Sequence, residues 1–92
     1  MTRPAQNALE IGAALRDARA AKGWTQAHLA EAAGVSRQLV VGVERGKRPG
    51  TELSRVLSIA RALGLGVALT PLPAGDRTPM DAALDAIIGG DE

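Results

Sequence analysis

Residues 25–48, TQAHLAEAAGVSRQLVVGVERGKR, leave few folds open to this chain. Two short segments of helical apolar spacing flank a turn at Ala33, Gly34 and Val35. Leu29, Ala30 and Ala33 line the first segment, and Leu39, Val40 and Val43 the second. Thr25 and Ser36 stand where a helix start needs a side-chain oxygen to accept a free backbone N–H. Gly34 takes the left-handed backbone of a sharp turn without a Cβ clash. Ala30, four residues earlier, keeps the first segment small where the second must cross it. The expectation is two short helices at a steep angle joined by a tight, glycine-containing turn.

Ninety-two residues are enough for one small domain and a tail. A core of that size is marginal by itself, which favours support from a partner chain. There is no cysteine, so disulfides and thiolate metal sites are excluded. No apolar run approaches the roughly 20 residues needed to cross a bilayer, and residues 1–7 lack the apolar stretch of a signal peptide. The expected setting is cytoplasmic. Charge is divided along the chain: residues 1–75 hold ten Lys/Arg and five Asp/Glu, a net +5, whereas residues 76–92 hold Arg77 against five acids, a net −4. The basic body suits a polyanion and the acidic tail does not.

In order, residues 1–8 show no periodicity and read as a flexible arm. A helix follows over 9–22, with Ile11, Leu15, Ala18 and Ala14 on its buried stripe and Arg16, Asp17, Arg19 and Lys22 facing out. Gly23 ends it, and Trp24, the only aromatic residue, packs beside the Thr25 cap. The two helices of the central stretch span 26–33 and 37–45, and a basic loop closes at Gly50. A fourth helix, capped by Thr51, runs to Leu63 with Leu53, Val56, Leu57, Ala60 and Leu63 on its core stripe; Ile59 falls beside that stripe, at a position for a dimer contact. Residues 65–73 change period: Leu65, Val67 and Leu69 alternate with Gly66, Ala68 and Thr70, as in a strand that Pro71 and Pro73 terminate. Within the tail, residues 74–92, a capping box at 78–81 and an apolar face of Met80, Ala83, Leu84, Ile87 and Ile88 suggest a short helix, too short to be stable alone.

The combination of Thr25-Gln26, Leu29-Ala30, Gly34-Val35-Ser36, Val40 and Glu44-Arg45-Gly46 resembles the Xre/Cro family of phage-repressor-like helix-turn-helix proteins, over residues 15–63. The strand that follows resembles the HipB-like branch, the antitoxins of type II toxin–antitoxin operons. The resemblance implies a mainly α fold: a lambda-repressor-like bundle of four helices over residues 9–64, extended by a dimerisation strand and a helical or disordered acidic tail. It also implies that the second helix of the motif enters the major groove of DNA. Ser36, Arg37, Gln38 and Val41 then face base edges: arginine pairs bidentately with guanine, glutamine with adenine, and valine meets a thymine methyl. Gln26 carries the family's phosphate-binding glutamine, at a helix N-terminus suited to an anion. Arg45, Lys47 and Arg48 follow as phosphate contacts, which position a protein without specifying sequence. Glu44 interrupts the basic run and serves to orient an arginine, Arg16 or Arg19, or to cap the loop. Gly42 departs from the family, which carries a larger side chain there.

The expected partners are a palindromic double-stranded DNA operator, a second copy of the chain joined through Leu65, Val67, Ala68, Leu69 and Thr70, and a HipA-like serine/threonine kinase toxin; no membrane is expected. The function so implied is a dimeric, sequence-specific repressor and antitoxin that autorepresses its operon. The alternatives are a protein-interaction adaptor on the same fold and a free-standing phage-like repressor with no toxin. No catalytic residue, metal ligand or cofactor site is expected: His28 is the only histidine and the carboxylates form no paired motif.

Overall fold

Side-chain caps start three of the four helices in the computed structural model, which describes residues 4–72. The helices are α1 (Ala8–Ala21), α2 (Gln26–Ala33), α3 (Arg37–Glu44) and α4 (Leu53–Ala62). Thr25 Oγ1 accepts the His28 N–H at 3.0 Å and Ser36 Oγ accepts the Leu39 N–H at 3.1 Å, as the sequence implied. The third cap is Asn7, whose Oδ1 accepts the Glu10 N–H at 2.8 Å while the Glu10 carboxylate accepts the Gln6 N–H. Each such cap contributes about 1 kcal/mol. The expected arm over 1–8 therefore overlaps the start of α1; an Asn followed three residues later by Glu was the overlooked signal.

The fourth start differs from expectation. Thr51 does not cap α4. Its N–H donates to the Arg48 carbonyl at 3.1 Å in the preceding turn, and α4 begins after Glu52 with no side-chain cap bond. Between α2 and α3, Gly34 is left-handed with φ 70°, and the Val35 N–H returns to the Ala30 carbonyl at 3.0 Å. That geometry turns the chain sharply enough for α3 to cross α2 over buried Ala30.

The core is formed by Leu15, Leu29, Ala30, Leu39, Val40, Val43, Ile59, Ala60 and Leu63, with Trp24, Val35 and Val56 packed around it. α3 packs against α1 and α2, and α4 against α2. Two stripes are rotated from their expected positions. In α4, Ile59 is 1 % exposed and belongs to the core, not to a dimer contact, whereas Leu53 is 67 % exposed at the overhanging first turn. In α1, Ile11 and Ala14 are exposed and Gly12 is buried. The reason lies in the crossing: a Cβ on Gly12 would lie 2.1 Å from the Val43 carbonyl oxygen, so the two backbones meet where a side chain would otherwise be. Gly46 makes the next contact along this seam, lying against the Leu9 backbone with φ 68°.

The expected strand over 65–72 is not formed; among the described residues there is no strand. A strand exists through its ladder, and no second strand stands among the described residues to complete one. Leu65 donates its N–H to the Ala60 carbonyl, and the segment then runs past the edge of α1 and α4. Val67 is 60 % exposed and Leu69 98 % exposed, so the alternate apolar residues of the segment are uncovered among the described residues. The short helix expected in the acidic tail lies outside the described residues. No helix among the described residues is long and apolar enough to cross a membrane.

Candidate nucleic-acid interface

The helical period divides α3 into two faces. Leu39, Val40, Val43 and Glu44 are buried, which turns Arg37, Gln38, Val41, Gly42 and Arg45 outward. Ser36, Arg37, Gln38 and Arg45 are exposed and Val41 is half-buried. The Ser36 hydroxyl oxygen is engaged as the cap acceptor, leaving its O–H free to donate outward. Structure thus brings four of the expected base-facing residues together at one end of one helix.

What fixes the attitude of that helix is the burial of Glu44. Its side chain is 3 % exposed, and its carboxylate accepts Arg19 Nε at 2.6 Å, Arg19 Nη2 at 3.1 Å and Gln26 Nε2 at 3.1 Å. Arg19 Nη1 also donates to the Trp24 carbonyl at 2.7 Å. One bidentate arginine therefore ties α1, the turn into α2, and the last residue of α3. Of the two arginines that sequence left open as partners of Glu44, Arg19 makes the pair. Arg16 instead lies 3.5 Å from Asp17 in an exposed ion pair of little energetic weight. The expectation that Arg19 faces solvent is corrected, since sequence periodicity does not reveal a carboxylate arriving from another helix.

Hydrogen bonding to Glu44 raises the Arg19 pKa above the ordinary arginine range; burial opposes this and the opposite charge adds to it. A raised folded-state pKa contributes stability that is complete below the ordinary arginine range and lost only as pH rises through the folded value. The contribution is therefore constant through neutral pH.

Gln26, expected at phosphate, opens α2 as supposed, but one amide N–H is committed to Glu44. Its second N–H and the backbone N–H groups of the first turn remain as donors. Beside it, a shallow cleft is lined by Arg16, Arg19, Gln26, Arg45 and Lys47, with Arg45 and Lys47 exposed. Arg16, read from sequence as outward-facing and as an alternative partner of Glu44, adds a third exposed cation to this cleft. Trp24 is half-buried against the core, with Lys22 Nζ 5.3 Å from its ring centroid and the His28 ring 4.4 Å away. It is a packing residue, and the exposed His28 ring lies tilted against it.

Arg48 does not extend from the loop beside Lys47. Its stem folds back over Gly42, where a Cβ would lie 2.9 Å from Arg48 Cγ. Neither the glycine nor the arginine announces this contact in sequence.

Four helices with a capped, glycine-turned pair, and an outward α3 face bordered by cations, define a helix-turn-helix DNA-binding domain of the transcription-regulator class. The chain belongs to the helix-turn-helix domain family, whose sequence profile matches residues 10–72. It is similar to the restriction-modification controller protein C.AhdI from Aeromonas hydrophila, with 41% identity and a TM-score of 0.59 over 63% of this chain and 86% of that one. No curated protein sequence matches it.

Proposed function

We propose that this protein is a sequence-specific transcriptional regulator that binds a palindromic operator as a homodimer. The observation that carries this reading is the outward face of α3, with Arg37 and Gln38 at its exposed N-terminal end and its inner end anchored by buried Glu44. Ser36, Arg37, Gln38 and Val41 address bases, and Gln26, Arg45 and Lys47 address phosphates. Arg37→Ala should weaken binding to the preferred duplex by about 1–3 kcal/mol and relax preference at one base pair per half-site. Lys47→Ala should weaken all sequences alike and reduce the salt slope by about one. Titrations of the preferred duplex and its single-base variants at several salt concentrations compare the two. Equal effects of Arg37→Ala on every sequence would remove it from the readout.

Dimerisation is assigned to residues 65–72, through Leu65, Val67, Ala68, Leu69 and Thr70. Among the described residues the Leu65 N–H is the last with a backbone partner, and Leu65, Val67, Leu69 and Leu72 are all exposed. An apolar segment with unpaired backbone is an aggregation hazard unless another chain completes it. Two copies in antiparallel register across a two-fold axis satisfy each other, and Ile11, Leu53 and Val56 at the adjoining cleft offer an apolar floor. Two α3 helices then meet successive major grooves about 34 Å apart. Ala68→Pro removes a central donor at an exposed position whose N–H has no backbone partner among the described residues. It should give monomers and at least about tenfold weaker operator binding, corresponding to about 1.4 kcal/mol. A dimer of unchanged strength in sedimentation would put the interface elsewhere.

Two genetic settings fit such a regulator. Similarity to C.AhdI at 41% identity favours a controller of a restriction–modification operon. The antitoxin reading, with a HipA-like kinase as toxin, rests on the segment after α4 and on the tail beyond the described residues. Copurification with the product of the adjacent gene separates them: an antitoxin captures its kinase, whereas a controller occupies only DNA.

A further inference from the structure

The unexplained glycine of the recognition helix and the last cation of the basic loop form a single feature. A Cβ on Gly42 would lie 2.9 Å from Arg48 Cγ, 2.9 Å from Nε and 3.0 Å from Cδ. All three distances are below ordinary contact, so the Arg48 stem fills the volume that a side chain at 42 would occupy. The backbone supports this return: the Lys47 N–H donates to the Gly42 carbonyl at 2.9 Å. Gly42 stands one turn beyond exposed Gln38 and one turn before exposed Arg45, on the ridge opposite buried Val40 and Glu44. The arginine is thus laid along the outward flank of α3, level with its last turn.

We infer that Arg48 acts as the missing side chain of this turn, entering the major groove with α3 and contacting a guanine edge next to the base pair met by Gln38. Gly42 is the positioning residue that leaves room for it. This rests on the DNA-binding reading and revises one part of it, the expectation that Arg48 is a loop contact to phosphate. A loop cation that follows phosphates works as a mobile charge. Here the stem is packed on the recognition helix, so less freedom is lost on binding, and an arginine's planar fork can meet guanine O6 and N7 together. The same packing explains a glycine in a helix interior, where alanine would favour the helix more.

The test uses the full chain, duplexes selected by the wild-type protein from a randomised pool, and the variants Gly42→Ala, Arg48→Ala and Arg48→Lys. Without DNA, the Arg48 Nε–Hε resonance should be dispersed in the wild type and move to the free-arginine position in Gly42→Ala. That variant should also melt roughly 4 °C higher, because the arginine swings aside and the helix gains an alanine. With DNA, Gly42→Ala and Arg48→Ala should flatten preference at the same base pair and weaken the selected duplex about tenfold. An unrelated duplex should be weakened less than about threefold, and the double variant should be no worse than Arg48→Ala alone. Arg48→Lys keeps the charge and should still lose the preference. The inference is overturned if Arg48→Ala weakens every sequence equally and lowers the salt slope, or if Gly42→Ala leaves both the resonance and the preference unchanged. A wild-type chain that selects no sequence would overturn the DNA reading itself, while the resonance would still report whether Gly42 holds Arg48.

Discussion

Gly12→Ala is expected to lower the melting temperature by roughly 15 °C or more, corresponding to at least about 3 kcal/mol. Two effects oppose each other. Alanine is the better helix former by about 1 kcal/mol, so propensity alone predicts stabilisation of α1. Its methyl would stand 2.1 Å from the Val43 carbonyl oxygen and 3.0 Å from that of Glu44, both backbone atoms at the α1–α3 seam. A backbone carbonyl cannot rotate aside as a side chain can. Helix α1 must therefore move away from α3, loosening Leu15 from the core and drawing Arg19 from Glu44. Total stability for a domain of this size is only about 5–10 kcal/mol, so the steric term prevails and removes much of it. Gly50→Ala is the control, because nothing lies within 4 Å of a Cβ there. Thermal melts of both variants decide the matter. A Gly12→Ala protein melting within about 2 °C of wild type would show that the α1–α3 spacing is not set at this glycine.

The parts of this fold that depend on neighbours in sequence could be read without coordinates. Thr25, Gly34 and Ser36 act on N–H groups or turns within a few residues, so their chemistry is visible in the chain. The buried line of α3 was also legible, because Leu39, Val40 and Val43 are apolar at helical spacing. What could not be read depends on where distant segments arrive. Gly12 is buried by α3, a contact that carries no apolar signature. Ile59 and Leu53 exchange the roles periodicity gave them because the rotation of α4 is fixed by its packing on α2. Gly42 and Arg48 are separated by a loop whose path no local pattern dictates. Residues 65–72 have the alternation of a strand, but an edge becomes a strand only when a partner supplies the ladder.

Arg19→Ala carries the other large expected effect, a loss of about 3–5 kcal/mol, because it leaves a buried carboxylate without its cation. Glu44 is 3 % exposed at its side chain and, among the described residues, accepts from Arg19 and Gln26. After the substitution one neutral amide faces a charge that water reaches poorly, and the Trp24 carbonyl loses its donor as well. Since Glu44 raises the Arg19 pKa, the guanidinium stays charged throughout the range in which the protein is handled. The difference between wild type and Arg19→Ala should accordingly not shrink between about pH 7 and pH 10, below the ordinary arginine value. A double variant, Arg19→Met with Glu44→Leu, separates stability from recognition. Apolar side chains of similar size restore most of the lost stability, as is common when both members of a buried pair are replaced. They do not restore the hydrogen bond that holds the Gln26 amide at the start of α2 or the bidentate tie that orients the end of α3. The double variant is therefore expected to melt near wild type and to bind its selected duplex about tenfold more weakly, with calorimetry and titration read on the same preparations. If Arg19→Ala costs less than about 1 kcal/mol, the carboxylate is reached by water and the pair is no anchor. If the double variant binds DNA as the wild type does, core packing alone holds the recognition helix in place.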